Sequence, residues 1–137
     1  MEEIILKGHK CVKGKASGIA MVCDEAVCFV GGIDIKTGDF VEKDHPFFGE
    51  NIKGRVMVYP TGKGSTGGAY CLYAAATNNV GPAAIINRQI EQVTAVGAII
   101  ADVPVVDRVD PDPIETIRTG DFVEVDADNA TIRVIRK

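Results

Sequence analysis

The chain has 137 residues and a formal net charge of −4, the size of one domain and enough to bury about two-thirds of its unfolded surface. An apolar fraction of 46% with 25% charged residues excludes a disordered chain. The acidic balance argues against nucleic acid as the main partner, and 6% aromatics with no Trp argue against recognition by stacking on bases or sugars.

The start, Met1-Glu2-Glu3-Ile4-Ile5-Leu6-Lys7, lacks the basic head and long apolar run of a secretory leader. Nowhere does an apolar run approach the roughly 18 residues of a membrane span. A cytoplasmic location without membrane contact is therefore expected. Residues 1 to about 50 are β-rich, with short apolar runs at 4–7, 18–23 and 27–30, and Asp44-His45-Pro46 is a loop. A compact strand follows at 55–59 and a turn-rich loop at 60–64. The spacing of Tyr70, Tyr73, Ala74 and Thr77 predicts a helix over 65–79, stopped by Asn78-Asn79-Val80-Gly81-Pro82. Residues 83–86 form a second strand, Ile90, Val93 and Val96 a short helix, and residues 98–101 a third strand. Strand–helix–strand–helix–strand with short links predicts a parallel core. Beyond it, 110–113 is a turn, 114–117 one helical turn, and 122–126 and 130–135 strands flanking a hairpin at 127–129. The hexapeptide Thr-Gly-Asp-Phe-Val-Glu occurs at 37–42 and again at 119–124, which reads as a reused turn-into-strand rather than a repeat architecture.

The four cysteines, Cys11, Cys23, Cys28 and Cys71, form no C-x-x-C pair, and buried thiols in a reducing compartment are expected. No metal or iron–sulfur cluster is expected on this chain alone.

The segment Pro60-Thr61-Gly62-Lys63-Gly64-Ser65-Thr66-Gly67-Gly68 joins a parallel strand to a helix, the place where α/β sheets bind ligands. Unpaired N–H groups of a first helical turn attract anions, the glycines admit a ligand to the backbone, and Lys63 adds charge. A phosphate or carboxylate is the natural guest. It is not a P-loop, because Gly64 rather than Ser or Thr follows Lys63. On residues alone Ser65 is more readily a helix N-cap than a catalytic group. His9 and His45, the only histidines, lie outside this loop and are expected to be surface or structural residues.

The order of motifs adds a resemblance. Gly14-Lys15-Ala16-Ser17-Gly18, Phe29-Val30-Gly31-Gly32-Ile33-Asp34, His45-Pro46-Phe47-Phe48-Gly49-Glu50, Gly62-Lys63-Gly64-Ser65-Thr66 and Pro82-Ala83-Ala84-Ile85-Ile86-Asn87 follow one another as in the small, swivelling subunit of the aconitase X family. Val-Asp-Arg followed by a Gly-Asp hairpin is most similar to the archaeal phosphomevalonate dehydratase type of that family. The resemblance spans roughly residue 7 to the C-terminus. It implies an α/β fold over 1–137, a single swivelling β/β/α domain with a parallel strand–helix–strand core and flanking β hairpins. It implies a hydro-lyase active only with a large catalytic subunit, which holds an iron–sulfur cluster of the 4Fe–4S type. The implied substrate is a small phosphorylated hydroxy acid, (R)-5-phosphomevalonate, dehydrated to trans-anhydromevalonate 5-phosphate in isoprenoid synthesis. Ser65 maps to the proton acceptor, with Gly62, Lys63, Gly64 and Thr66 holding it or the substrate. Two alternatives stand beside this: the small subunit of a cis-3-hydroxyproline dehydratase, and a non-catalytic anion-binding module.

Overall fold

A computed structural model describes residues 1–137. Seven strands close into one barrel-like sheet in the order β1-β5-β4-β3-β2-β6-β7. They are β1 (Glu2–Val12), β2 (Lys15–Val22), β3 (Val56–Tyr59), β4 (Ala84–Asn87), β5 (Val105–Asp110), β6 (Phe122–Asp126) and β7 (Thr131–Arg136). β2 pairs parallel with β3, β3 with β4 and β4 with β5, while every pair made by β1, β6 or β7 with its neighbours is antiparallel. The outer strands are thus no appendage to the central ones. β1 is long enough to pair with β7 along its first half and with β5 along its second, with irregular register around His9. Such irregularities bend a strand and let a sheet close on itself.

The barrel has apolar side chains on both faces where helices cover it. Along β3, Val56 and Val58 point into a barrel-interior cluster with Leu6, Ala84, Ile86, Val123 and Ile132. Met57 and Tyr59 point outward into a second cluster with Phe40, Ile52, Leu72, Ile85 and Ala98. Burial on both faces is why β3 and β4 carry continuous apolar runs rather than alternation. Helices α1 (Gly67–Thr77) and α2 (Gln92–Ala101) pack on the outer face, and the short α3 (Pro113–Thr116) follows β5.

Three expectations need correction. The predicted strand at 98–101 is the last turn of α2, which ends on a left-handed Asp102 with φ 61°; the strand follows at Val105–Asp110. Residues 27–30 form no strand: Val27 makes only an isolated parallel bridge to Gly62. The first predicted helix is shorter, starting at Gly67 and ending at Thr77. The terminal strands pair antiparallel as expected, Asp126 opposite Thr131, with a 3-10 turn at Ala127–Asn129 between them. His45 is a structural residue, buried with Nδ1 accepting the Phe47 N–H and Nε2 3.0 Å from the Ala26 carbonyl oxygen. His9 is exposed.

Candidate active-site loop

The loop leaves β3 at Pro60 and enters α1 at Gly67. Two neighbours pin its base. The Pro60 carbonyl accepts the N–H groups of Arg88 and Gln89 at 2.9 and 3.2 Å, just past the end of β4. On the other side Val27 donates to the Thr61 carbonyl at 3.1 Å and accepts the Lys63 N–H at 2.9 Å. Gly62 is buried, whereas Lys63, Gly64, Ser65 and Thr66 are exposed. The predicted residues therefore share one loop, with Gly62 in its buried base and residues 63–66 at its projecting tip.

Two glycines shape that tip. Gly64 has φ +106°, and a methyl there would come within 2.5 Å of the Cys28 Sγ. Gly62 lies so close to Glu91 Oε1 and Thr94 Oγ1 that a methyl would overlap both. Ser65 is not the helix cap. Thr66 occupies that position with helical φ −57° and ψ −22°, and no side chain caps the helix. The Ser65 hydroxyl makes no capping hydrogen bond to the first turn. Its Oγ lies over the start of α1, 3.6 Å from where a Gly67 methyl would be. The carbonyls of Ser65 and Thr66 take the N–H groups of Gly68 and Ala69, whereas the N–H groups of Ser65, Thr66 and Gly67 find no backbone acceptor. Unpaired donors at the positive end of an 11-residue helix, beside Lys63, are suited to an oxyanion.

A cleft of about 390 Å³ lined by Thr66, Ala69, Gln92, Val93 and Val96 opens beside the loop, between the N-terminal ends of α1 and α2. A larger one of about 540 Å³ runs over β2, β6 and β7 near Ser17 and Arg133. It is remote from the parallel strand ends and is an open furrow of the barrel wall, so the smaller cleft is the one that belongs to the loop. No cluster of three or more His, Cys, Asp or Glu side chains converges to hold a metal ion. Burial pushes the Cys11 thiol up to about 12 and Cys23 up to about 11, and raises Cys71. Scattered, protonated thiols do not fit an iron–sulfur cluster.

Sequence reasoning missed Glu91. Its carboxylate caps α2, Oε2 accepting the Val93 N–H at 2.6 Å and Oε1 the Thr94 N–H at 2.7 Å. An acid directly before the apolar run of α2 is the signal that could have found it.

Comparison with known proteins decides the family. A family profile described as the aconitase X swivel domain matches residues 5–134. The chain belongs to the aconitase X family. Among curated relatives of this family, the phosphomevalonate dehydratase small subunit of Methanocella arvoryzae is 49% identical over 121 residues, covering 88% of this chain and 92% of that one. The protein of the same name from Archaeoglobus fulgidus is 44% identical, covering 90% and 92%. The crystal structure of Thermococcus kodakaraensis aconitase X in its holo form superposes with a TM-score of 0.91 at 41% identity, covering 97% of this chain and 99% of that one. The aconitase X assignment thus rests on sequence and fold over almost the whole chain.

Proposed function

We propose that this chain is the small subunit of a phosphomevalonate dehydratase, a hydro-lyase that removes water from (R)-5-phosphomevalonate to give trans-anhydromevalonate 5-phosphate. The observation that carries the reading is 49% identity over 88% of this chain to a small subunit of that name, together with the exposed Ser65 on its pinned glycine loop. The 1–137 chain acts as one swivelling β/β/α domain in the cytoplasm; no helix is long and apolar enough to cross a membrane.

In this mechanism Ser65, as its alkoxide, takes the proton from the carbon next to the substrate carboxylate. An O–H bond forms as the C–H bond breaks, and the released electron pair becomes the double bond as the tertiary C–O bond breaks. Lys63 and the unpaired N–H groups of Ser65, Thr66 and Gly67 favour the alkoxide over the alcohol and hold a substrate anion. Gly62 and Gly64 fix the height and direction of the tip, and Thr66 lines the substrate side. The hydroxyl that departs must be received by groups outside this chain. The iron–sulfur cluster implied by the family does not fit these residues, so it is assigned to a large subunit and no step of this chain runs through it.

A large partner is supported by the surface. Neither α1 nor α2 contains a charged residue, and Tyr70, Tyr73, Val96, Ile99 and Ile100 are all exposed on them. A cluster of this kind beside a site marks a surface that another protein covers. The test is anaerobic purification with the candidate large subunit and an assay of water loss. Turnover of phosphomevalonate is expected. Turnover of cis-3-hydroxyproline alone would change the substrate, and failure to form a complex would leave an anion-binding module.

A further inference from the structure

Under the loop lies a polar patch that the mechanism above does not use. Tyr59 and Asn87, the last residues of β3 and β4, are fully buried. The Asn87 amide donates to the Tyr59 and Ile86 carbonyls at 3.1 and 3.3 Å, yet its Oδ1 and the Tyr59 hydroxyl have no partner. Buried polar atoms without partners are rare. The Tyr59 hydroxyl sits among Asn87, Glu91 and Thr94, and burial keeps it protonated. Above it, both Glu91 oxygens are occupied by the first turn of α2, and the Thr94 hydroxyl also donates to Oε1. Ser, Thr, Asp and Asn are the usual caps; the longer Glu side chain reaches past the helix end to the loop. Its Oε1, with Thr94 Oγ1, fills the space where Gly62 would carry a side chain.

We propose that Glu91 is a positioning residue: its carboxylate, locked by the α2 cap, is the floor on which Gly62 rests, and so sets the position of Ser65 three residues on. The inference rests on Ser65 as proton acceptor for its effect on turnover, but the contact itself can be read without turnover. A looser floor lets the base drift from the carbon it must reach, and the anion-holding N–H groups of the tip drift with it. The geometry therefore ties Glu91 chiefly to kcat, where alignment is most demanding, and more weakly to KM.

The test uses Glu91→Ser, which keeps a favoured cap residue on α2 while withdrawing the carboxylate from Gly62. In the complex with the large subunit, kcat is expected to fall about 100-fold, the scale of a 1 Å misplacement, with a smaller rise in KM. Gly62→Ala is expected to lose at least as much. The double variant is expected to be more active than Gly62→Ala alone, because the methyl takes the vacated space and the Thr94 hydroxyl, freed of its acceptor, can turn away. A wild-type kcat in Glu91→Ser, or a double variant no better than Gly62→Ala, overturns the proposal. Backbone amide shifts of isotope-labelled full-length chain provide the second measurement. Movement of the Lys63, Gly64 and Ser65 amides in Glu91→Ser is expected, and shifts confined to α2 overturn the proposal. If Ser65→Ala retains turnover, the base assignment fails, and the amide shifts still decide whether Glu91 positions the loop.

Discussion

Gly64 shows how much chemistry one residue can control through its backbone. Its φ of +106° is a conformation other residues adopt only with strain, and the Cys28 Sγ closes the space a side chain would need. Gly64→Ala is expected to lower stability by about 1–3 kcal/mol, read as a shift in thermal unfolding of the isolated chain, and to cut turnover in the complex. Wild-type values for both would mean that the tip is not held as described. The sequence made this loop legible because Gly and Lys cluster between an apolar strand and a helix. It could not separate the capping reading of Ser65 from the catalytic one, since the difference is a side-chain hydrogen bond to the first turn of α1, and no side chain caps that helix. The sequence could mark Glu91 as a cap but not its contact with Gly62, which joins two loops from different strand ends.

Among the elements, the continuous apolar runs of β3 and β4, bounded by Pro and Gly, were legible because strands buried on both faces look that way. The same signal misled at 98–101. Ile99 and Ile100 are apolar yet exposed on α2, so an uncovered helix face imitated a buried strand. α1 and α2 approach closely where a methyl on Gly97 would lie 2.9 Å from the Ala69 Cα. Gly97→Val is expected to separate them at a cost of about 1–3 kcal/mol, measured by denaturant unfolding; an unchanged midpoint would contradict this contact. The β6–β7 end of the sheet is tied by Arg136, which donates to both oxygens of the buried Asp121 at 3.1 and 2.8 Å. Burial works to raise the Asp121 carboxyl, but Arg136 and the Arg118 N–H outweigh it and hold it below the usual carboxylate range. A depressed folded-state value means that this stabilisation is complete above the unfolded pKa of about 3.9 and is lost as pH falls through the folded one. Asp121→Asn is accordingly expected to be less stable than wild type at pH 7, with the gap narrowing below about pH 4. A gap independent of pH would show that the ion pair is not its source.

For the whole molecule, closure of the sheet is what sequence patterns did not reveal. Hairpins were expected beside a parallel core, and only the pairing of β1 with both β5 and β7 turns them into a barrel wall. That closure leaves α1 and α2 together on one outer side, so the loop tip and their uncharged faces share one surface. Val96→Asp with Ile99→Asp is expected to weaken binding to the large subunit by at least about tenfold, the effect of losing 1.4 kcal/mol, without lowering the thermal stability of the isolated chain. Undiminished binding would move the interface elsewhere. The proposed reaction requires this chain to supply the base. Its most direct test is Ser65→Ala in the reconstituted complex, with complex formation and substrate binding checked in the same preparation. An intact complex that still binds phosphomevalonate and loses at least about 100-fold in kcat is expected. A kcat within a few-fold of wild type in an intact complex would rule Ser65 out and put the base elsewhere.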